Sequence, residues 1–345
     1  MPTTKNKKNN ALKNGITILV SLIFAGVFMW LAVRGLDWDK IKTSLSKANY
    51  FWVLVAAIFG VLAYWVRAIR WNLLLEPMGY QISNKNALWS LSFGYLMNLT
   101  IPRSGEVARA TALYGVEKVP VDQSFGTIIL ERIVDLLCMG VFLGLTLIFK
   151  YDAILAFYQL ATSEQQNTDA SAAHTNSGLW LIGIAILAII FIIFRKKIIQ
   201  SNLYQKVKQF ILGILSGLQS IFKLKHKMRF LLLSLGIWVC YYLAAYLVCF
   251  ALPETKNLGI ADGFFIIVVG TLGMMVPASG GIGAFHFALK LGFMALFIAL
   301  GQSPEEGGQV GLSYAFISHT MQLVIMLVMG VISIPMLAQA RKVHF

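Results

Sequence analysis

Pro102-Arg103-Ser104-Gly105-Glu106-Val107-Ala108-Arg109 recurs in shortened form as Pro277-Ala278-Ser279-Gly280-Gly281. Upstream of each copy an apolar stretch begins about 16 residues before the proline, at Asn86 and at Ala261. Each copy therefore reads as an apolar half-helix, a Pro-x-Ser-Gly break and a second half-helix. Proline removes a backbone donor and glycine admits dihedrals that other residues avoid, so Pro102 and Gly105 mark one break and Pro277, Gly280 and Gly281 the other. In lipid a broken helix survives only where protein buries it or where it lines a wet cavity. Two breaks at corresponding positions of two halves point to a transport-type site in the membrane interior. The first copy carries Arg103, Glu106 and Arg109, where the second has small or apolar residues. The repeat reads as structural and the charges as functional.

Composition places the chain in a membrane. It is 58% hydrophobic and 13% charged, with a mean hydropathy of +0.72. Residues 14–33, 48–66, 170–194, 230–252 and 307–340 carry no Asp, Glu, Lys or Arg. Most of these windows can cross a hydrocarbon layer of about 30 Å, which takes roughly 20 residues. The net charge of +14 is concentrated in particular loops rather than on a nucleic-acid-like face, so nucleic acid is not an expected partner. Lys5, Lys7, Lys8 and Lys13 crowd the N-terminus, and 195–229 holds nine basic residues and no acidic one. By the positive-inside rule these segments and the tail with Arg341 and Lys342 are cytoplasmic, and the 150–178 loop is external. The first apolar run is too long for an ordinary signal peptide and reads as an uncleaved anchor. Cys138, Cys240 and Cys249 lie in apolar segments without metal-ligand spacing, and neither a metal nor a cofactor is expected.

These signals predict an all-α polytopic membrane protein, one integral membrane domain over 1–345, with about six spanning helices plus two re-entrant broken helices in an inverted-repeat arrangement. The spans fall at about 14–33, 50–70, 123–149, 178–195, 229–252 and 309–338. The first half, 14–149, contains the re-entrant segment 86–115, and the second half, 229–340, contains the re-entrant segment 260–300. Between them, 150–228 holds an external loop with a flexible polar part at 160–177, a span and a cytoplasmic interfacial helix at 203–222. Three crossings separate the broken segments, so they enter from opposite faces. The 34–50 loop, external in this scheme, carries Arg34, Lys40, Lys42 and Lys47 against the rule.

The strongest chemical cluster is Glu131, Arg132 and Asp135, within the span at 123–149. A charge at that depth costs about 2.5–3.5 kcal/mol on insertion scales, so it faces a partner or a cavity. Glu131 and Asp135 share a helix face, and Arg132 and Asp135 are spaced to pair. One reading is a local ion pair that holds the bundle. The other is a polar floor under Arg103, Glu106 and Arg109, with arginine forks gripping a phosphate. In the second half His286 and Lys290 lie four apart on one helical face, and His319 and Gln322 sit in the last span. Arg67 and Arg70 are placed near the cytoplasmic face.

The run Asn98, Pro102, Glu106, Arg109, then Glu131-Arg132-x-x-Asp135, then Pro277 to Gly283 resembles the lysylphosphatidylglycerol synthase transmembrane-region family. That family includes the flippase half of bacterial multiple peptide resistance factors and many stand-alone membrane proteins. The resemblance runs from about 14 to 340 and implies lipid translocation in the bacterial cytoplasmic membrane, without the family's soluble synthase domain. His319 stands where many relatives place a basic residue.

The leading function is therefore a non-enzymatic translocase of a phospholipid or polyprenyl-phosphate-type lipid, with both termini cytoplasmic. Its candidate substrate-binding residues are Arg103, Glu106, Arg109, Glu131, Arg132 and Asp135, with Asn98, Ser279, His286, Lys290 and His319. Two alternatives stay open: a regulatory or scaffolding subunit beside a lipid-synthesis enzyme, and a head-group transferase using a metal at Asp37-Trp38-Asp39.

Overall fold

A computed structural model describes residues 38–101, 103–169, 202–276 and 278–343, together with Ile23, Val27 and Trp30. The described residues are all-helical and form eleven α-helices: α1 (Trp38–Lys47), α2 (Tyr50–Leu75), α3 (Asn84–Thr100), α4 (Gly105–Glu117), α5 (Val121–Phe149), α6 (Tyr151–Asp169), α7 (Asn202–Gln219), α8 (Lys227–Tyr246), α9 (Ile260–Met275), α10 (Ala284–Ala299) and α11 (Pro304–Val343). The expected spans at 14–33 and 178–195 lie outside the described residues, as do Pro102 and Pro277.

Four helical stretches are long and apolar enough to cross a bilayer: Tyr50–Met78, Val121–Phe149, Lys227–Ala251 and Pro304–Lys342. Their bulky apolar side chains stand largely outward, such as Leu54 and Ile58 on α2, Leu137 and Ile148 on α5, and Leu327 and Val331 on α11. A soluble protein would hide such faces. The protein is a multi-pass membrane protein.

Both broken segments fold back on themselves. Ser83 caps α3 by accepting from the Lys85 amide (3.2 Å). Glu117, the last residue of α4, accepts from the Ser83 amide (3.0 Å) and from Asn86 Nδ2 (2.7 Å). The end of α4 thus lies beside the start of α3, and the pair is an antiparallel hairpin. At its turn Asn98 Oδ1 accepts from the Gly105 amide (2.7 Å). The arms cross closely enough that a Cβ on Gly94 would lie 2.7 Å from the Gly105 carbonyl oxygen. The second hairpin pairs Gly273 with Ala288, Gly270 with Phe285 and Leu289, and Val269 with Gly292, again antiparallel. Its turn needs glycine, because Gly280 and Gly281 sit at φ 60° and 77°. The 16-residue α10 is about 24 Å long at 1.5 Å per residue and returns along α9.

The 40-residue α11 orders the two hairpins. Gly307 and Gly311 pack on Phe293 near the end of α10, His319 packs on Phe285, and Gly330 packs on Leu96 of α3. Going along α11, one passes from the open end of the second hairpin to its turn, and then to the turn of the first. The hairpins therefore approach from opposite ends of this helix, and their turns meet. Arg103 Nη2 donates to the Met275 carbonyl (2.7 Å), and a Cβ on Gly280 would lie 3.2 Å from Leu99 Cδ2.

Two local expectations change, and a third is refined in its bounds. Residues 151–169, expected to open an external loop, are helical because Ala153, Ala156, Phe157 and Leu160 supply an i, i+3, i+4, i+7 stripe that packs against the core beside Phe265. Part of the expected flexible stretch at 160–177 thus belongs to α6. Residues 38–47 of the 34–50 loop form α1, whose Ile41 is buried against Leu312. The expected helix at 203–222 runs from Asn202 to Gln219, followed by a 3-10 turn to Lys223. It docks on the start of α5 through glycines: a Cβ on Gly217 would lie 2.6 Å from the Gln123 carbonyl and 2.7 Å from Gly126.

Candidate functional site

The floor of the site is an ion-pair network joining α2, α4 and α5. Glu131 and Asp135 project from the same face of α5, one turn apart. Arg109, from the returning arm of the first hairpin, donates to Glu131 Oε2 at 2.6 Å. Arg70 lies 3.6 Å from Glu131 and 2.8 Å from Asp135. Arg67 donates to Asp135 and also to the Tyr241 hydroxyl (2.7 Å). Arg67, Arg70, Arg109 and Glu131 are all at most 5% exposed. The Arg109 guanidinium lies 3.6 Å over the Trp71 ring, whose Nε1 is anchored on Thr127 (2.8 Å). Arg70 reaches Ser234 and lies 6.0 Å from the Phe230 ring centre, tying α8 to the network.

Above this floor lies a cavity of about 770 Å³. Its charged lining is Arg67, Arg103, Glu106, Arg132 and Asp135, with Asn98, Gln322 and the phenols of Tyr64, Tyr95 and Tyr241 as further polar groups. The rest is largely apolar, including Leu136, Met139, Ile266 and Met274, beside Thr271, Tyr314 and Ser318, and the second hairpin contributes Ala278, Gly280 and Gly281. Arg132 pairs with Glu106 at 3.0 Å, their side chains 48% and 27% exposed. Arg103 takes a left-handed backbone (φ 58°) between the half-helices and bonds a carbonyl rather than a carboxylate. A residue other than glycine is uncommon there.

The sequence-selected residues divide accordingly. Asn98, Arg103, Glu106, Arg132 and Asp135 line the cavity, whereas Arg109 and Glu131 are sealed in the floor. The six expected charges thus form two layers rather than one lining. The expected Arg132–Asp135 pair does not form: Asp135 is taken by Arg67 and Arg70 from α2, and Arg132 turns to Glu106 instead. Arg67 and Arg70, expected near the cytoplasmic face, are buried partners of this network. Their signal was available, because the apolar run Leu73-Leu74-Leu75 follows them and an unpaired arginine inside a span is expensive. Nothing in the sequence distinguished Tyr64, Tyr95 and Tyr241 from the other aromatics. His286 and His319 are buried with ring centres 5.0 Å apart, and neither lines the cavity. Lys290 is directed toward Gly308 of α11, also away from it. Ser279 belongs to the turn at Ser279–Gly281, and its side chain is outside the described residues. Asp39 is exposed on α1, 4.0 Å from Lys42, and Asp37 is outside the described residues.

Two opposed helical hairpins meeting over an arginine-rich cavity, inside an apolar-surfaced bundle, define a multi-pass membrane protein built around a polar interior site. The family model for the lysylphosphatidylglycerol synthase TM region matches residues 18–336, and the chain belongs to that family. It is 30% identical over 148 residues to a UPF0104 membrane protein of Methanocaldococcus jannaschii, covering 42% of this chain and 43% of that protein. It is 24% identical over 306 residues to the glycosyltransferase AglD of Haloferax volcanii, covering 81% of this chain and 49% of AglD. A UPF0104 membrane protein of Methanothermobacter thermautotrophicus matches at 22% identity over 350 residues, 94% of this chain and 95% of that protein. The chain thus spans less than half the length of the first two relatives. No solved structure matches it. Together, the family and the AglD likeness suggest a membrane protein of lipid or glycolipid metabolism.

Proposed function

We propose that the protein is a non-enzymatic lipid translocase that moves a phosphate-bearing lipid across the bilayer. It would sit in the bacterial cytoplasmic membrane with both termini cytoplasmic. The observation that carries this reading is the cavity of about 770 Å³ between the two hairpin turns, whose largely apolar lining carries arginines together with a few further polar groups. Such a lining suits an amphipathic ligand, its phosphate on the guanidinium forks of Arg103 and Arg132 and its first methylenes against Leu136, Met139 and Ile266. Every acid in the cavity and its floor has an arginine partner, so among the described residues none stands free there for general acid–base work. The sequence has no nucleotide-binding loop, so an ion gradient, the membrane potential or downhill flow drives the movement.

A specific observation also favours the scaffold reading: Arg70, Arg109 and Glu131 are buried and do not line the cavity. The AglD likeness keeps a lipid-linked transferase, or a partner enzyme of that kind, as the competing assignment. Purified protein in liposomes, tested by head-group accessibility, separates these readings. Translocation that is lost in Arg132→Ala supports ours. Product formation supports the transferase, and inactivity of folded wild-type protein on every lipid supports the scaffold.

A further inference from the structure

The charge inventory of the site goes further than a generic phosphate. Five arginines (Arg67, Arg70, Arg103, Arg109 and Arg132) meet three carboxylates (Glu106, Glu131 and Asp135) in one connected cavity and floor. Two positive charges are left over. Among the described residues no further acid lines the cavity. Asp262 pairs with Lys150 at 2.5 Å, Glu117 closes the first hairpin, Glu254 accepts from Ser44, and Asp122 lies against Gly213 of α7. Residues 1–36 and 170–201 contain no Asp or Glu at all. The excess also has a vacant donor. Among the described residues Nε of Arg67, which lines the cavity, has no hydrogen-bond partner. Among the described residues Arg103 is met by the partial negative charge of a helix C-terminal carbonyl and by no carboxylate.

An uncompensated double charge inside a membrane protein is expensive, so a ligand that supplies two negative charges is favoured over one that supplies a single charge. Resting on the translocase reading of this cavity, we infer that its head group is a phosphomonoester or a diphosphate, in preference to the singly charged phosphodiester of most membrane lipids. Glu106 holds Arg132 until the phosphate arrives, and the incoming phosphate draws Arg103 off the Met275 carbonyl. A phosphomonoester carries a charge of about −1.5 to −2 at pH 7, with a second pKa near 6. The preference is therefore full above that pH and shrinks below it.

The test uses the full chain in detergent micelles, with thermal stabilisation measured against added phosphatidic acid, phosphatidylglycerol, phosphatidylcholine and soluble glycerol 3-phosphate. At pH 7.5 phosphatidic acid is expected to act at a concentration at least about tenfold lower than phosphatidylglycerol, a difference of one decade in binding. Between pH 7.5 and 5 that gap should close in the wild-type protein. The diester does not titrate in this range, so it reports any titration of the protein itself. Arg103→Gln with Arg132→Gln should remove the preference, and the wild-type pH series decides the matter if that variant does not fold. Equal potency of phosphatidylglycerol and phosphatidic acid at pH 7.5 overturns the inference. Glycerol 3-phosphate matching phosphatidic acid would keep the charge assignment and move its source from a lipid to a soluble phosphomonoester. In vesicles, monoester-selective binding without movement sinks translocation alone, whereas movement without monoester preference sinks this inference alone.

Discussion

Glu131→Gln removes the acid on which the floor of the site depends, and the structure sets the size of the effect. Glu131 is fully buried, 2.6 Å from Arg109 and 3.6 Å from Arg70. The substitution keeps the shape and deletes the charge. Arg109 is then left without a carboxylate, and Arg70 keeps only Asp135 at 2.8 Å. Breaking one side of a buried pair costs about 3–5 kcal/mol, because the surviving charge stays out of water. At 1.4 kcal/mol per decade this is a shift of roughly a hundred- to several-thousand-fold in the unfolding equilibrium. By contrast the Arg132–Glu106 pair is half-exposed, and Arg132→Gln is expected to cost no more than about 1 kcal/mol. The assay is denaturant unfolding of the purified protein in micelles, followed by circular dichroism, with lipid movement measured on the same variants. Glu131→Gln should lose stability and movement together, whereas Arg132→Gln should lose movement alone. Adding Arg109→Met to Glu131→Gln should recover much of the stability, because a matched apolar replacement no longer strands a charge. If Glu131→Gln unfolds within about 1 kcal/mol of wild type, the floor is not a buried ion network and the division into floor and lining fails.

Other substitutions test the geometry. Gly94→Ala brings a Cβ against the Gly105 carbonyl at 2.7 Å and should cost about 1–3 kcal/mol by forcing the first hairpin apart; Gly115→Ala meets nothing within 4 Å and should be neutral or stabilising by up to about 1 kcal/mol. Gly217→Leu should detach α7 from α5, seen as faster proteolysis at the basic residues after Phe222, while cleavage unchanged from wild type would argue against the docking. Cysteines at Arg103 and Met275 should be bridged by a short bis-maleimide, with a pair at Gly115 and Met275 as the unbridged control; failure of the first pair would mean that the hairpin turns do not meet. Arg103→Lys keeps the charge but loses the fork, so lipid movement should fall at least several-fold with little change in stability; full movement would show that the planar geometry is not used.

Much of the architecture lies in local signals. Hydropathy marks α2, α5, α8 and α11 because a helix in lipid needs a continuous apolar surface wherever it crosses. Pro-x-Ser-Gly marks both breaks because ring closure and a missing Cβ act on the backbone where they occur. Glu131 and Asp135 announce themselves as charges in an apolar run. What the sequence left open is which groups meet. Arg67 and Asp135 are 68 residues apart, Arg67 and Tyr241 174, and Arg103 and Met275 172. Spacing along α5 offered Arg132 to Asp135, but packing of α2 against that face delivered two arginines already shielded from water, and Arg132 turned to the cavity. The α6 stripe, within the mostly apolar run 153–161, gained its role only where Phe265 gave it something to cover. Local chemistry fixes where a helix runs and where it breaks, since both depend on a few adjacent residues. The partner of each charge is chosen by desolvation and close packing, which exist only once distant helices have come together.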